Sequence, residues 1–231
     1  MKTLRIFFKE HKINNLKKVI IVGSGGHGAE LHEYIQFGNE QRNEKSIEII
    51  GLLDDYPENY KRYRFKAPYL GSISDHEVRK DCSYLIGIAN LNYRRKIVEL
   101  LLDKGDEFMN YIHPDSFVSE SATIGKGTVI SYHCNVGPNA TVGDYTLVNA
   151  RASISHDSKV GDYNFIGPNV CLSGFTIVGN ENLFGINSAT IPQIEIGSRN
   201  KIAAGMTLDK NVEDDSTVFY KIKERVIAVP K

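Results

Sequence analysis

Apolar residues follow two different spacing rules along this chain. Up to about Asn110 they come in short runs, Val19 to Val22, Ile47 to Leu53 and Tyr84 to Ile88, separated by helically spaced stretches from Glu30 to Phe37 and from Arg94 to Leu102. That alternation predicts βαβ units around a small parallel sheet. After Ile112-His113-Pro114 the apolar positions fall on every sixth residue: Val118, Ile124, Ile130, Val136, Val142, Val148, Ile154, Val160, Ile166, Leu172, Val178 and Phe184, then Ile196, Ile202 and Leu208, with Thr190 as the one break. Neither an amphipathic helix nor simple strand alternation has that period.

A parallel β-helix does, with three hexapeptides to each triangular coil. The large apolar residue points into a narrow prism, glycine often follows it at the turn (Gly125, Gly137, Gly143, Gly161), and a small residue often sits four places on (Ala122, Thr128, Ala140, Thr146, Ala152, Ser158). About five coils fit the repeat, each burying its corners against its neighbours. The expected organisation is an N-terminal extension over 1–17, a Rossmann-like α/β half domain over 18–111, the hexapeptide-repeat β-helix over 112–214 and a tail over 215–231.

Charge narrows the partners. With 28 basic and 28 acidic residues the net charge is zero, so no global field favours nucleic acid or an anionic membrane, and an anionic ligand must be held locally. Cys82, Cys134 and Cys171 lack metal-ligand spacing, and an odd count argues against a disulfide framework. No apolar stretch approaches the ~20 residues of a spanning helix. A cytoplasmic protein without a stable membrane anchor is expected, and the basic opening MKTLRIFFKEHKINNLKK reads as a solvated arm rather than a polybasic anchor.

Gly23-Ser24-Gly25-Gly26-His27-Gly28 follows an apolar strand and opens a helical segment, the context of a phosphate-binding turn. A dinucleotide oxidoreductase fits poorly. The half domain is too small, and the acidic pair Asp54-Asp55 lies about 30 residues on rather than the usual ~20. A single nucleotide is the better ligand. His27 is not needed for the turn and is expected near the ligand, while Asn90 and Arg94, after a later strand, point to the same crevice.

These motifs, with Leu53-Asp54-Asp55, Ile112-His113-Pro114, Ser155-His156-Asp157, Leu172-Ser173-Gly174, Gly185-Ile186-Asn187-Ser188 and Ala204-Gly205, occur in an order and spacing that resembles one family. It is the bacterial sugar O- and N-acyltransferase family, which includes the sialic-acid O-acetyltransferases, the UDP-bacillosamine N-acetyltransferases and the GDP-perosamine N-acetyltransferases. The resemblance runs from about Lys18 to about Asn211. It implies a left-handed β-helix and a homotrimer with active sites between subunits. It also implies that the glycine loop (Gly25, Gly26, His27) with Asp54, Asp55, Asn90 and Arg94 holds a nucleotide-linked amino sugar.

Transfer of an acyl group from a thioester needs a base, an oxyanion donor and a slot for the pantetheine arm. By resemblance His156 is the base, Asp157 orients it, and the Gly174 amide faces the thioester carbonyl of acetyl-CoA. Gly185, Ile186, Ala204 and Gly205 line the pantetheine groove. Adjacent residues on a strand point apart, so His156 and Asp157 can meet only across a bend. Two departures stand out. Phe165 occupies the place of a second, donor-contacting histidine, so any polar help there must come from Asn164 or another group, or be absent, and Phe219-Tyr220-Lys221-Ile222 replaces the usual tail segment. No metal is expected: Cys134 and Cys171 read as packed residues and His113 as a junction residue that packs or caps.

The expected function is N-acetylation of a nucleotide-linked amino sugar by direct attack on acetyl-CoA. O-acetylation of a sialic-acid-like sugar would use the same base. A non-catalytic trimeric scaffold is the alternative from another class.

Overall fold

The computed structural model describes residues 16–41 and 46–220, so most of the expected extension over 1–17, and the tail beyond Tyr220, lie outside the described residues. The first unit holds β1 (Lys17–Val22), α1 (Gly26–Gln41), β2 (Ile47–Leu53), α2 (Pro57–Lys61), β3 (Tyr69–Gly71), β4 (Ser83–Ile86) and α3 (Leu91–Asp103). Its strands pair in parallel in the order β3-β2-β1-β4. Val19 to Val22 are fully buried, as a central strand covered on both faces must be. Val19 and Ile21 pack with Leu31 and Ile35 of α1, whereas Ile20 and Val22 pack with Val98 and Leu101 of α3.

The second unit is a left-handed parallel β-helix with three sheets of seven, six and five short strands, which form the faces of a triangular prism. Each two-residue strand pairs with the one a full coil later, for instance Val142 with Val160, Ile154 with Leu172 and Ile166 with Phe184. These inward residues form one continuous core, each worth roughly 1.5–3 kcal/mol of transfer free energy when fully buried. Thr190, the break in the sequence pattern, still points inward. Its hydroxyl accepts from the Ser173 amide at 2.9 Å and meets Thr176 Oγ1 at 3.0 Å, so its polarity is satisfied in place.

The turns repeat as well. In turn after turn one residue sits at positive φ, among them Asn139, Asp157 and Phe175 at 56°, 58° and 60°, with Gly127 at 60° and Gly205 at 70°. Side chains in this region carry a cost. It is offset by bonds between coils such as the Asp157 amide to the Pro138 carbonyl at 2.9 Å.

The first unit docks on the seven-stranded face. There the outward column Tyr111, Val129 and Leu147 is buried against the α1 side of the small sheet, with Phe165 partly buried above it. The six-residue period reports inward positions only, so this second apolar column went unread. His113 packs at the junction, with its ring centroid 5.0 Å from Tyr34 and 4.9 Å from Tyr132, and its Nδ1 accepts the Asp115 amide. Cys134 is buried in the prism, where burial pushes its thiol up to about 11. Cys171, expected to be packed, is instead exposed, because it is the outward residue of its strand. Among the described residues no helix is long and apolar enough to cross a membrane, and no His, Cys, Asp and Glu side chains group as a metal site.

Candidate active site

The glycine loop is shaped by close approaches. Gly23 turns at φ 97°, and a Cβ on Gly28 would run into the Gly23 carbonyl, so neither position accepts a side chain. Gly25 differs: a Cβ there would meet nothing within 4 Å. Open space in front of the first amides of a 16-residue helix is what an anionic ligand needs. The loop borders a cavity of about 540 Å³ that also reaches His27, Asp55, Asn90 and, unread from the sequence, Tyr56, Asn59, Ile73, Tyr93 and Ile97.

His27 is buried, with Nδ1 3.1 Å from Glu30 Oε2 and Nε2 without a partner among the described residues. Burial holds its pKa below the ordinary histidine value despite Glu30. Asp54 and Asp55 divide their work. Asp54 Oδ2 accepts the Ser24 amide at 2.7 Å and hydroxyl at 2.8 Å, and Oδ1 accepts the Tyr56 amide, so this carboxylate braces the loop at the wall of the same cavity. Asp55 is exposed on the cavity wall and takes the Ile73 amide at 2.9 Å on Oδ1. Asn90 caps α3 by accepting the Asn92 and Tyr93 amides, and still borders the cavity.

Arg94 corrects the expectation of a ligand contact. Its side chain is fully buried and bonded to backbone: Nε donates to the Tyr145 carbonyl of the β-helix at 2.8 Å, and Nη1 donates to those of Ile88 and Ile86, while Nη2 has no partner among the described residues. Burial lowers its pKa to about 9. This arginine ties the strand end beside the cavity to the solenoid.

On the β-helix, Ser155 to Ser158 form the bend that the His-Asp pair requires, with Asp157 at positive φ. His156 Nδ1 lies 2.9 Å from Asp157 Oδ2, and the hydrogen bond from His156 is the first cause of the depressed Asp157 pKa. The Nδ1 contact leaves Nε2 as the nitrogen open to chemistry. Gly174 lies one coil on: a Cβ there would fall 2.7 Å from His156 Cε1 and 2.8 Å from Nε2, so any side chain would displace the imidazole. The same turn position is Pro138 one coil before His156 and Pro192 one coil after Gly174. A position that accepts proline makes no demand on its amide, so the Gly174 N–H is not committed to the coil ladder.

Gly185, Ile186, Ala204 and Gly205 occupy a different edge of the prism. They lie on turns from the seven-stranded to the six-stranded face, whereas His156 and Gly174 lie between the six- and five-stranded faces. One chain therefore does not bring the base and the expected pantetheine groove together. Asn164 is a second correction. It is fully buried inside the coil, donating to the Gly161 and Gly179 carbonyls and accepting the Asn182 amide, and has no access to a thioester. Phe165 faces outward against the apolar junction with the first unit.

Comparison with known proteins agrees with this architecture. The PglD N-terminal domain matches over residues 18–101. The UDP-N-acetylbacillosamine N-acetyltransferase of Bacillus subtilis (strain 168) is 32% identical over 117 residues, which is 50% of this chain and 51% of that protein, so the match spans about half the relative's length. Among solved structures, the acetyltransferase domain of PglB from Neisseria gonorrhoeae FA1090 superposes with a TM-score of 0.74 at 27% identity, covering 85% of this chain and 93% of that one. PerB from Caulobacter crescentus, in complex with CoA and GDP-perosamine, shares the fold with a TM-score of 0.74 at 23% identity, covering 87% of this chain and 92% of that one. A glycine-loop half domain docked on a hexapeptide β-helix is the architecture this chain shares with the solved PglB acetyltransferase domain over 85% of its length.

Proposed function

We propose that the protein is an acetyl-CoA-dependent N-acetyltransferase acting on a nucleotide-linked amino sugar in the cytoplasm. The observation that carries this is the His156-Asp157 pair set against Gly174, with an anion-suited loop in the other unit. One relative is named a UDP-N-acetylbacillosamine N-acetyltransferase, the PglB domain was solved with acetyl coenzyme A and PerB with CoA and GDP-perosamine, which supports the substrate class. In this reading residues 18–111 hold the nucleotide sugar, chiefly through Gly25, Gly26, His27 and Asp55, and residues 112–214 hold the acyl donor.

The chemistry is direct transfer. His156 Nε2 takes the proton as the acceptor amine attacks the thioester carbonyl, and the Gly174 amide donates to the oxygen on which negative charge builds. The new C–N bond forms, the C–S bond breaks, and the imidazolium returns the proton to the CoA thiolate. Because the Gly185 and Gly205 turns lie on another edge of the prism, the reading requires a homotrimer in which a neighbouring copy's turns complete the site. This suits the closed symmetry that solenoid subunits adopt.

Thiol release from acetyl-CoA on a panel of UDP-, GDP- and dTDP-linked 4-amino sugars tests the reading. Turnover on one of them, lost in His156→Ala, supports it. Silence on the whole panel with acetyl-CoA still bound sinks N-acetylation and points to a hydroxyl acceptor.

A further inference from the structure

Asp157 occupies a fixed position of its turn, and the same position one coil earlier, 18 residues back, is Asn139. Asn139 Nδ2 donates to Asp157 Oδ1 at 3.1 Å while Asp157 Oδ2 meets His156 Nδ1 at 2.9 Å. The three side chains form a line across two coils that ends on the imidazole. Asn139 is anchored from the coil before, where its own amide donates to Ser121 Oγ at 3.0 Å, and it sits at φ 56° in the fixed turn geometry.

One coil beyond Asp157 the same position holds Phe175, which neither donates nor accepts through its ring. It lies edge-on to the imidazole with centroids 5.3 Å apart and planes at 88°. Among the described residues, the side chains hydrogen-bonded to the Asp157 carboxylate are therefore His156 on one oxygen and Asn139 on the other. A carboxylate on an exposed turn is free to rotate unless a second contact fixes it, and a bond to an equally movable imidazole fixes neither group.

We propose that Asn139 is a positioning residue for acyl transfer: it locks the Asp157 carboxylate so that Oδ2 faces His156 Nδ1 and Nε2 is the nitrogen that receives the acceptor's proton. This rests on the reading of His156 as the base. Asn139 touches neither substrate. Its hydrogen bond is also the second cause, after His156, of the depressed Asp157 pKa.

The test uses the full chain as wild type, Asn139→Ala and Asn139→Ser, with two readouts: acetyl-CoA turnover, and an NMR titration of the Asp157 carboxylate without acceptor. Asn139→Ala is expected to lose about five- to twentyfold in kcat with both KM values within about twofold, an unchanged Tm, and an Asp157 that titrates at higher pH. Serine, which keeps a donor, recovers part of both effects. An Asp157 titration identical to wild type in Asn139→Ala overturns the assignment. So does a kcat loss that follows a fall in Tm and that serine fails to recover. If the wild type transfers no acyl group to any amino sugar, the functional reading falls, and the titration alone still decides whether Asn139 holds Asp157.

Discussion

Two edges of the same prism are built to opposite ends. Along the edge from the five- to the seven-stranded face, an internal column runs Thr128, Thr146, Asn164, Asn182, Asn200. Each side chain accepts the amide one coil on: Thr146 N to Thr128 Oγ1 at 3.2 Å, Asn164 N to Thr146 Oγ1 at 3.0 Å, Asn182 N to Asn164 Oδ1 at 2.8 Å and Asn200 N to Asn182 Oδ1 at 2.9 Å. Outside it a second column through Asp144, Asp162 and Asn180 runs the other way, each side chain accepting the amide one coil back. The edge that carries Pro138, His156, Gly174 and Pro192 has no such column at that turn position, and His156 is exposed. One edge spends its polar groups on itself; the other leaves an imidazole nitrogen and an amide unspent.

Removing chemistry from the open edge should give the largest effect. His156→Ala is expected to lower kcat by roughly 10²–10⁴, the range for a general base, with Tm unchanged because the side chain is exposed. A variant that keeps more than about a tenth of the wild-type rate would remove His156 from the base role.

The closed edge should show the reverse. Asn164→Leu strands the Asn182 amide and the Gly179 carbonyl in the prism, while the Gly161 carbonyl keeps the Thr146 hydroxyl. A loss of about 2–3 kcal/mol follows, or roughly 5–10 °C in Tm. Activity per folded molecule should be retained. If Asn164→Leu instead abolished acetyl-CoA turnover at full stability, the residue would belong to the donor site after all.

The sequence made part of this visible. The six-residue period exposed the coils because inward side chains must recur at the same place, and it held through Thr190 because a buried hydroxyl found partners. The burial of Asn164 was legible too, since it lies ten residues after Ile154 on the small-residue position that Ala140, Thr146 and Ser158 also occupy. Arg94 was not, because nothing in a helix sequence tells that its guanidinium will meet a carbonyl 51 residues away. Nor was the bracing role of Asp54, which depends on where the Ser24 amide points. Motif spacing reports which residues share a turn; contacts between turns need coordinates.

The nucleotide crevice contains its own contrast, between glycines that must be bare for the fold and one that is bare for something else. Gly28→Ala collides with the Gly23 carbonyl and should destabilise the first unit, whereas Gly25→Val places its side chain in open space. Gly25→Val should therefore keep the wild-type Tm while weakening binding of a nucleoside diphosphate by about tenfold or more, about 1.4 kcal/mol, as read by calorimetric titration. Equal affinity in the two proteins would place the phosphates elsewhere.

The smallest effect separates the two histidines. His27 is buried with an unpartnered Nε2, and burial lowers its pKa in the folded chain, so the fold favours the neutral ring. A group whose folded pKa is depressed contributes stability that is fully present above its unfolded value, about 6.5, and is lost as pH falls from there toward the folded value. Wild type should therefore lose Tm relative to His27→Asn as pH is lowered through 6.5, by a few degrees at most. A nucleoside diphosphate bound at the N-terminus of α1 works in the opposite direction, because its negative charge favours the protonated ring, and it should flatten the slope. A gap between the two proteins that is constant from neutral to mildly acidic pH would show that His27 carries no linked proton. A slope unchanged by the nucleotide would move the anion away from this helix end.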